Sequence, residues 1–166
     1  MLEIEKKYLL NDIPNLSQIP YDEIEQGYLS FTPEIRIRKK GNKYYITKKG
    51  EGTEAREEIE TEIDSITYNI LSSLVNGRVI KKTRYRISLN YSLIAELDIY
   101  HEDLEGLVTV ETEFPNEIEA KNFIAPVWFG EEITEDKRFK NKNLARMEKI
   151  DFYKEEKIHK LKKDNY

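Results

Sequence analysis

The N-terminal stretch Leu2-Glu3-Ile4-Glu5-Lys6-Lys7 alternates apolar and charged side chains. Successive side chains of a β-strand point to opposite faces, so Glu3, Glu5 and Lys7 share one face. The same spacing recurs in Glu34, Arg36 and Arg38; Arg56, Glu58, Glu60 and Glu62; Lys82, Arg84 and Arg86; Glu96 and Asp98; Glu111 and Glu113. A single strand of this kind is typical of a sheet with one face in water. Acidic and basic groups mixed on nearly every strand instead indicate a surface for a polyanion and metal ions.

The composition predicts one folded domain. A chain of 166 residues can bury a real core without a second domain. Charged residues make up 36% and hydrophobic residues 39% of the chain, and the apolar residues keep a clear period, which excludes a disordered polypeptide. The net charge of -5 gives no reason to expect binding to nucleic acid or to an anionic membrane.

Several features indicate a cytoplasmic protein. The chain has no cysteine, which removes disulfide and thiol chemistry and fits a reducing compartment. The first residues lack the basic and apolar regions of a signal peptide, and no apolar run approaches the length of a membrane span. We therefore expect a small-molecule substrate as the partner, while the oligomeric state stays open.

Alternation and turn residues predict eight strands. These strands cover residues 2–9, 22–31, 34–40, 43–49, 53–63, 79–89, 92–100 and 107–114. Helical spacing appears at residues 66–75, 117–124 and about 141–163.

The first two predicted helices have capping residues and apolar side chains that we expect to face the core. Ser65 and Asn116 are the predicted N-caps. The side chains expected to face inward are Ile66, Ile70, Leu71 and Leu74 in the first helix, and Phe123 and Ile124 in the second.

Many antiparallel strands and few helices favour a closed sheet, because closure removes exposed edges. If the charged faces point outward, the barrel holds an ordinary apolar core. If they point inward, helices must cover the apolar outer face and the buried charges must be paired or bind ions. Alternation alone leaves both arrangements open.

The order of the charged motifs resembles one family. Glu3-x-Glu5-x-Lys7 is followed by Gln26-Gly27-Tyr28-Leu29, Arg36-x-Arg38, Thr47-x-Lys49, Arg56-x-Glu58-x-Glu60, Lys82-Thr83-Arg84-Tyr85, Glu96-Leu97-Asp98, Val110-Glu111-Thr112-Glu113-Phe114 and a segment at 128–141. This series is similar to that of the CYTH superfamily, the triphosphate tunnel metalloenzymes, and especially to small bacterial inorganic triphosphatases. The resemblance covers roughly residues 2–146.

The resemblance implies an α+β, mainly β, fold: a closed eight-stranded antiparallel β-barrel with a charged lumen and helices packed outside. Residues 1–150 would form the tunnel domain, and residues 151–166 a helical tail of the same domain.

The resemblance and the chemistry of the side chains together predict a binding site for triphosphate and metal. Guanidinium forks and ammonium groups bind phosphate oxygens, and Mg²⁺ or Mn²⁺ prefers oxygen ligands. The predicted substrate-binding residues are Lys7, Arg36, Arg38, Arg56, Lys82 and Arg84. The predicted metal ligands are Glu3, Glu5, Glu58, Glu60, Asp98, Glu111 and Glu113.

Lys49 and Tyr28 are the predicted catalytic pair. In triphosphatase-type relatives, the lysine before the turn pairs with the tyrosine of the QGYL stretch to activate water. Strand parity places Lys49 in the lumen and Lys48 outside it. The alternative is that Lys49 is one more phosphate contact and Tyr28 a packing residue.

The predicted activity is metal-dependent hydrolysis of inorganic tripolyphosphate to pyrophosphate and phosphate, with nucleoside triphosphates as possible further substrates. Class IV adenylate cyclase and thiamine triphosphatase are alternatives within the superfamily. The cyclase branch carries a His-Phe segment where this chain has Gln26-Gly27-Tyr28-Leu29, which favours the triphosphatase branch. A polyphosphate-binding module without catalysis is the alternative of another class.

Overall fold

The computed structural model describes residues 1–147, so the predicted tail and most of the third predicted helix lie outside the described residues. The strands of this part are β1 Leu2–Leu10, β2 Tyr21–Phe31, β3 Glu34–Lys40, β4 Lys43–Lys49, β5 Ala55–Ile63, β6 Asn76–Ser88, β7 Ile94–Tyr100, β8 Val108–Glu113 and β9 Phe129–Glu132. The helices are α1 Ser65–Ser72, α2 Glu117–Asn122 and α3 Asn141–Arg146.

Eight antiparallel strands close into a barrel in the order β5-β4-β3-β2-β6-β7-β8-β1, because β1 also pairs with β5. The first residues of β1 make that closure, with Glu3 opposite Arg56. The middle of β1 pairs with β8, where Lys7 lies opposite Glu111. The last residues of β1 pair with β9, which extends the sheet outside the ring. The predicted eight-stranded closed barrel is confirmed, with one strand that the sequence did not predict.

The charged faces of the strands point into the barrel, and the apolar faces point out. On β7, Leu97 is 0% exposed and packs with Ala95 and Ile99 in a cluster on the outer face. The other members of this outer cluster are Tyr8, Leu10, Ile13, Val108, Val110 and Phe129. Since β9 contributes Phe129, the extra strand covers apolar surface that an inward-facing charge pattern leaves on the outside.

Two predictions for the first helical region were wrong. The N-cap of α1 is Asp64, whose side chain accepts a hydrogen bond from the Thr67 backbone N–H at 2.7 Å, and not Ser65. The apolar stripe does not face the core, since Ile66 and Ile70 are 70% and 65% exposed. The helix instead buries Tyr68, because an aromatic ring reaches the sheet from a face that apolar periodicity did not single out.

The second helical region was predicted better. Asn116 caps α2 by accepting a hydrogen bond from the Glu119 backbone N–H at 2.9 Å. Phe123 packs against the outer cluster, but Ile124 is 90% exposed, contrary to expectation. Within residues 1–147, no helix has the length and apolar character needed to cross a membrane.

We predict that Leu97→Ala lowers the free energy of unfolding by about 2–5 kcal/mol, because it leaves a cavity in the outer cluster. Urea denaturation followed by circular dichroism measures the loss. Ile94→Ala on the same strand is the control, since Ile94 is 46% exposed and should cost only about 0.5 kcal/mol. Equal losses in the two variants would contradict an apolar core outside the barrel.

Candidate active site

A cavity of about 70 Å³ lies in the lumen and brings together residues from distant parts of the sequence. Predicted site residues in its lining are Glu3, Glu5, Lys7, Tyr28, Arg36, Arg38, Lys49, Arg56, Glu58, Arg84 and Glu111. The remaining predicted site residues, which do not line this cavity, are Glu60, Lys82, Asp98 and Glu113. Carboxylates and cations therefore face one another across a single enclosed space.

Arg36 and Arg38, neighbours on the inner face of β3, carry much of the positive charge. Arg36 is 2% exposed, and its Nη2 donates to Thr47 Oγ1 at 3.3 Å. Arg38 Nε donates to Gln26 Oε1 at 3.0 Å. Burial and the charges of Arg36 and Arg84 lower the pKa of Arg38 to about 10. Arg36 Nε and Gln26 Nε2 are buried donors with no acceptor among the described residues, so this wall is suited to an anion.

Arg84, Lys82 and Asp98 form an ionic group beside the cavity. Arg84 Nε and Nη2 donate to the two Asp98 oxygens at 2.7 and 2.8 Å. Lys82 Nζ lies 2.7 Å from Asp98 Oδ2, although the angle is not that of a hydrogen bond. Burial, with the charges of Arg84 and Arg38, lowers the pKa of Lys82 to about 7 against the opposing effect of Asp98.

These contacts bear on two predicted roles, which stay predictions. Both carboxylate oxygens of Asp98 contact Arg84 or Lys82 at 2.7–2.8 Å, so a metal ion bound by Asp98 would share these oxygens with the two cations. Lys82 is 0% exposed and does not line the cavity. Asp98 also acts as the counter-ion of the Arg84 guanidinium.

Lys7 lies where β1 faces the C-terminal part of the barrel. Its Nζ donates to the Phe139 carbonyl oxygen at 2.8 Å and lies 3.4 Å from Glu111 Oε1. Burial acts to lower the pKa of Lys7, but the charges of Tyr100 and Glu111 outweigh it and raise that pKa. Lys7 therefore stays charged in the lumen.

Glu3, Glu5 and Glu111 crowd together on β1 and β8. Burial raises the pKa of Glu5 to about 8, and the charges of Glu111 and Glu3 contribute. Burial would also raise the pKa of Glu111, but Lys7 and Arg84 outweigh it and hold that pKa well below its usual range. Near neutral pH, Glu5 keeps a proton and shares a hydrogen bond with the ionised Glu111.

The chemistry of these carboxylates fits a divalent metal ion. Within residues 1–147, no three or more Asp, Glu, His or Cys side chains are arranged to hold an ion by themselves. Mg²⁺, however, is usually bound by one or two carboxylates, water and substrate phosphates. Glu3, Glu5 and Glu111 offer hard oxygen donors, and a cation that replaces the Glu5 proton would remove the repulsion between them.

Glu58 and Glu60 on β5 and Glu113 on β8 lie toward the end of the barrel away from residues 133–141, and we call that end the mouth. Glu58 and Glu60 on β5 are 3.9 and 3.5 Å from Arg36 Nη2, so they act as its counter-ions. Glu113 follows Glu111 on β8, and burial with the charges of Glu3 and Glu96 raises its pKa. These carboxylates extend the acidic surface of the lumen away from the proton that Glu5 holds beside Glu111.

Lys49 and Tyr28 both line the cavity, but they are not hydrogen-bonded to each other within the described residues. Lys49 Nζ donates to Glu3 Oε2 at 3.1 Å. Tyr28 is 1% exposed and stacks on Phe31 with ring centroids 5.8 Å apart. Burial raises the pKa of Tyr28 to about 12, against the opposing charge of Arg36. Lys48 is exposed, so the prediction from strand parity is confirmed.

Residues 133–141, which we call the floor segment, close one end of the lumen. The Tyr100 hydroxyl donates to Asn141 Oδ1 at 2.8 Å, and Lys140 Nζ donates to the Gly52 carbonyl oxygen at 2.6 Å. Six members of the segment line the cavity: Ile133, Thr134, Asp136, Phe139, Lys140 and Asn141. The sequence motif at 128–141 lacks strand periodicity, so only the structure assigns it to the lumen.

Glu34 and Gln26 also lie in or beside the site without a predicted role. Glu34 lines the cavity and is 7% exposed. Its position two residues before Arg36 placed it on the charged face, but strand parity does not distinguish a carboxylate that binds metal from one that pairs with a cation. Gln26 belongs to the QGYL motif, and its contact with Arg38 across two strands cannot be read from spacing.

Comparison with known proteins gives a consistent picture. The model of the CYTH domain matches residues 1–150. The chain is 44% identical over 151 residues to an inorganic triphosphatase of Nitrosomonas europaea, an alignment that covers 87% of this chain and 97% of the relative. It is 36% identical over 148 residues to an inorganic triphosphatase of Acetivibrio thermocellus, covering 87% and 93%.

Solved structures share the fold. A crystal structure of an inorganic triphosphatase matches with a TM-score of 0.68 at 39% identity, over 89% of this chain and 97% of that one. A putative adenylyl cyclase from Hippeastrum with a dominant triphosphatase activity matches with a TM-score of 0.54 at 18% identity, over 72% and 82%, which shows a common fold alone. With the barrel, the charged lumen and these matches, the chain belongs to the CYTH domain family.

Proposed function

We propose that this protein hydrolyses inorganic tripolyphosphate to pyrophosphate and phosphate with the help of Mg²⁺ or Mn²⁺. The observation that carries the proposal is the cavity in which buried guanidinium groups face crowded carboxylates. Phosphoryl transfer depends mainly on positioning and on stabilising charge, and both kinds of group supply this. The two relatives named inorganic triphosphatase support the same activity.

Arg36, Arg38 and Arg84 are the proposed phosphate-binding groups, with Lys7 as a further cation. Guanidinium groups bind phosphate oxygens through two parallel hydrogen bonds, and Arg36 Nε is a buried donor still without an acceptor. The partners of Arg38 and Arg84 within the protein hold their forks in place before the substrate arrives. Pre-positioned charge of this kind favours the transition state because little reorganisation is needed.

Glu3, Glu5 and Glu111 are the proposed metal ligands, with Glu58, Glu60 and Glu113 available around them. When bound, a divalent ion would neutralise phosphate charge and polarise the attacked phosphorus. The carboxylates orient that charge toward the substrate, and Asp98 holds the Arg84 guanidinium in place at the same cavity. Arg56, a further predicted phosphate-binding residue, lines the same cavity; its Nη1 is bonded to Glu34 at 2.9 Å, and its Nε is a buried donor without an acceptor among the described residues.

Lys49 and Tyr28 are the proposed catalytic residues. Both border the lumen near the floor segment, and Tyr28 packs in one cluster with Phe139. A water molecule between them would attack the terminal phosphorus, the bridging P–O bond would break, and pyrophosphate would leave. The proposed base is the neutral amine of Lys49: its ammonium first loses a proton to solvent when Glu3 turns from Lys49 to the metal ion, and the amine then takes the proton from the attacking water. The Tyr28 hydroxyl orients that water.

The alternative functions are less well supported than tripolyphosphate hydrolysis. A cyclase must hold adenine and activate a ribose hydroxyl, whereas the cavity lining is dominated by charged side chains. A thiamine triphosphatase and a non-catalytic polyphosphate-binding protein would need the same phosphate-binding groups. Only an activity measurement distinguishes these two functions from tripolyphosphate hydrolysis. The expected cytoplasmic location and the division at residue 150 stay predictions.

Removal of divalent metal should abolish tripolyphosphate hydrolysis, because the carboxylates of β1 and β8 then repel the phosphate with no metal ion between them. Phosphate release measured in EDTA should vanish and return with Mg²⁺ or Mn²⁺. Ca²⁺ should support it poorly, since its longer and less regular coordination misplaces the phosphate. Full activity in EDTA would contradict the proposed mechanism.

Metal binding near pH 7 should release close to one proton, because Glu5 is protonated there and its pKa is about 8. Isothermal titration calorimetry in buffers of different ionisation enthalpy counts the proton. Glu5→Gln should release almost none.

A raised folded-state pKa also means that the stabilisation from Glu5 is present below about pH 4.5 and is lost as the pH rises through about 8. A metal-free protein whose stability rises over this range because of Glu5 would be inconsistent with this assignment.

Lys49→Ala should lower the turnover number at least about a hundredfold, in line with loss of a general base. Metal-dependent binding of tripolyphosphate should remain measurable by calorimetry. Lys48→Ala is the matched control, because the adjacent side chain is exposed and should leave turnover unchanged. An inactive Lys48→Ala variant beside an active Lys49→Ala variant would reverse the assignment.

A further inference from the structure

Glu34 is one of several carboxylates that line the lumen, and it pairs directly with Arg56, a cation of the same cavity. It begins β3, lies opposite Lys49 on β4, and is 7% exposed. Its Oε2 accepts a hydrogen bond from Arg56 Nη1 at 2.9 Å. It lines the same cavity as Tyr28 and the floor segment. Lys140 of the floor segment bonds to Gly52, just before β5, which places Arg56 and its partner Glu34 at the closed end of the lumen.

The pair of Glu34 and Arg56 makes the closed end electrostatically different from the rest of the lumen. Arg56 and Arg36 each keep a buried Nε donor without an acceptor among the described residues. Arg56 Nη1, however, pairs with Glu34 at 2.9 Å, whereas Arg36 Nη2 faces Glu58 and Glu60 at 3.9 and 3.5 Å, so the Arg56 charge is the more closely balanced of the two. A phosphate that moved past Arg36 toward the floor would gain little attraction from Arg56. It would also meet the negative charge of Glu34 at short range in a poorly solvated space, where like charges repel strongly.

We propose that Glu34 sets how deeply a linear polyphosphate enters the lumen, and so acts as a specificity-determining residue. The inference rests on the proposed function. Glu34 stops the terminal phosphate beside Arg36 and keeps the space next to Tyr28 and Lys49 for the attacking water. The floor segment closes that space from below, so water is held there but the chain of phosphates does not fill it.

This role has a consequence that differs from ordinary structural support. If the negative charge is removed, the substrate binds more tightly because repulsion is lost, but it enters too far and displaces the water. Binding then improves while turnover falls. A carboxylate whose only task is to orient a substrate-binding Arg56 would give the opposite result, since its loss would weaken binding.

The test is Glu34→Gln, which keeps the size and a hydrogen-bond acceptor for Arg56 but removes the charge. For tripolyphosphate with Mg²⁺, we expect KM to fall about fivefold and kcat to fall about tenfold. Pyrophosphate should become a stronger competitive inhibitor by a similar factor. A higher KM with unchanged kcat, or no change in either constant, would overturn the proposal.

Arg56→Gln is the second variant, and its expected effect has the opposite sign. Without Arg56, the Glu34 charge is unbalanced and should raise KM about fivefold, so a lower KM would also overturn the proposal. Glu62→Gln is the matched control, because this carboxylate on β5 is exposed and pairs with Lys43 at 3.5 Å away from the closed end. If the unmodified protein fails to hydrolyse tripolyphosphate, the proposed function fails; if it is active and both variants keep its KM, only the role of Glu34 fails.

Discussion

Pairing of opposite charges inside a closed barrel is the constraint on which this structure depends. An isolated charge taken out of water costs several kcal/mol, so a charged lumen is stable only if each group finds a partner. The barrel supplies such partners across strands, as Lys49 and Glu3 at 3.1 Å and Arg84 and Asp98 at 2.7 Å illustrate. The apolar faces are then left outside, which explains why β9 and the segments around α2 and α3 must cover them.

The same pairing explains how the lumen can bind two kinds of ligand. A polyphosphate is a new partner for the cations, and a divalent ion is a new partner for the carboxylates, so both can bind together without leaving either set unbalanced. The groups differ in how firmly they are held. Asp98 is fixed by two cations, whereas Glu5 carries a proton that a metal ion can replace. Fixed pairs shape the wall, and weakly held groups are available for chemistry.

Strand parity was sufficient to predict the strands and to group most site residues on one face of each, because a period of two assigns each side chain to one face. It separated Lys49 from Lys48 for this reason. That the charged face points into a barrel followed from the resemblance to the CYTH superfamily. Strand parity could not predict which of the inner charges form ion pairs. Asp98 meets Lys82, and Glu34 meets Arg56, only because of the register between strands. Strand parity also could not place the floor segment, because a loop has no regular period that shows which side chains point inward.

The central claim is that the lumen acts on a chain of three phosphates. The most direct measurement is the release of phosphate, in Mg²⁺, from tripolyphosphate, pyrophosphate, ATP and thiamine triphosphate, with cyclic AMP measured alongside. The account predicts that tripolyphosphate has the highest kcat/KM. Pyrophosphate leaves contacts unmade, and the organic parts of ATP and thiamine triphosphate find no matching surface in a charged lining. Cyclic AMP as the main product from ATP, or binding of tripolyphosphate without any release of phosphate, would contradict it.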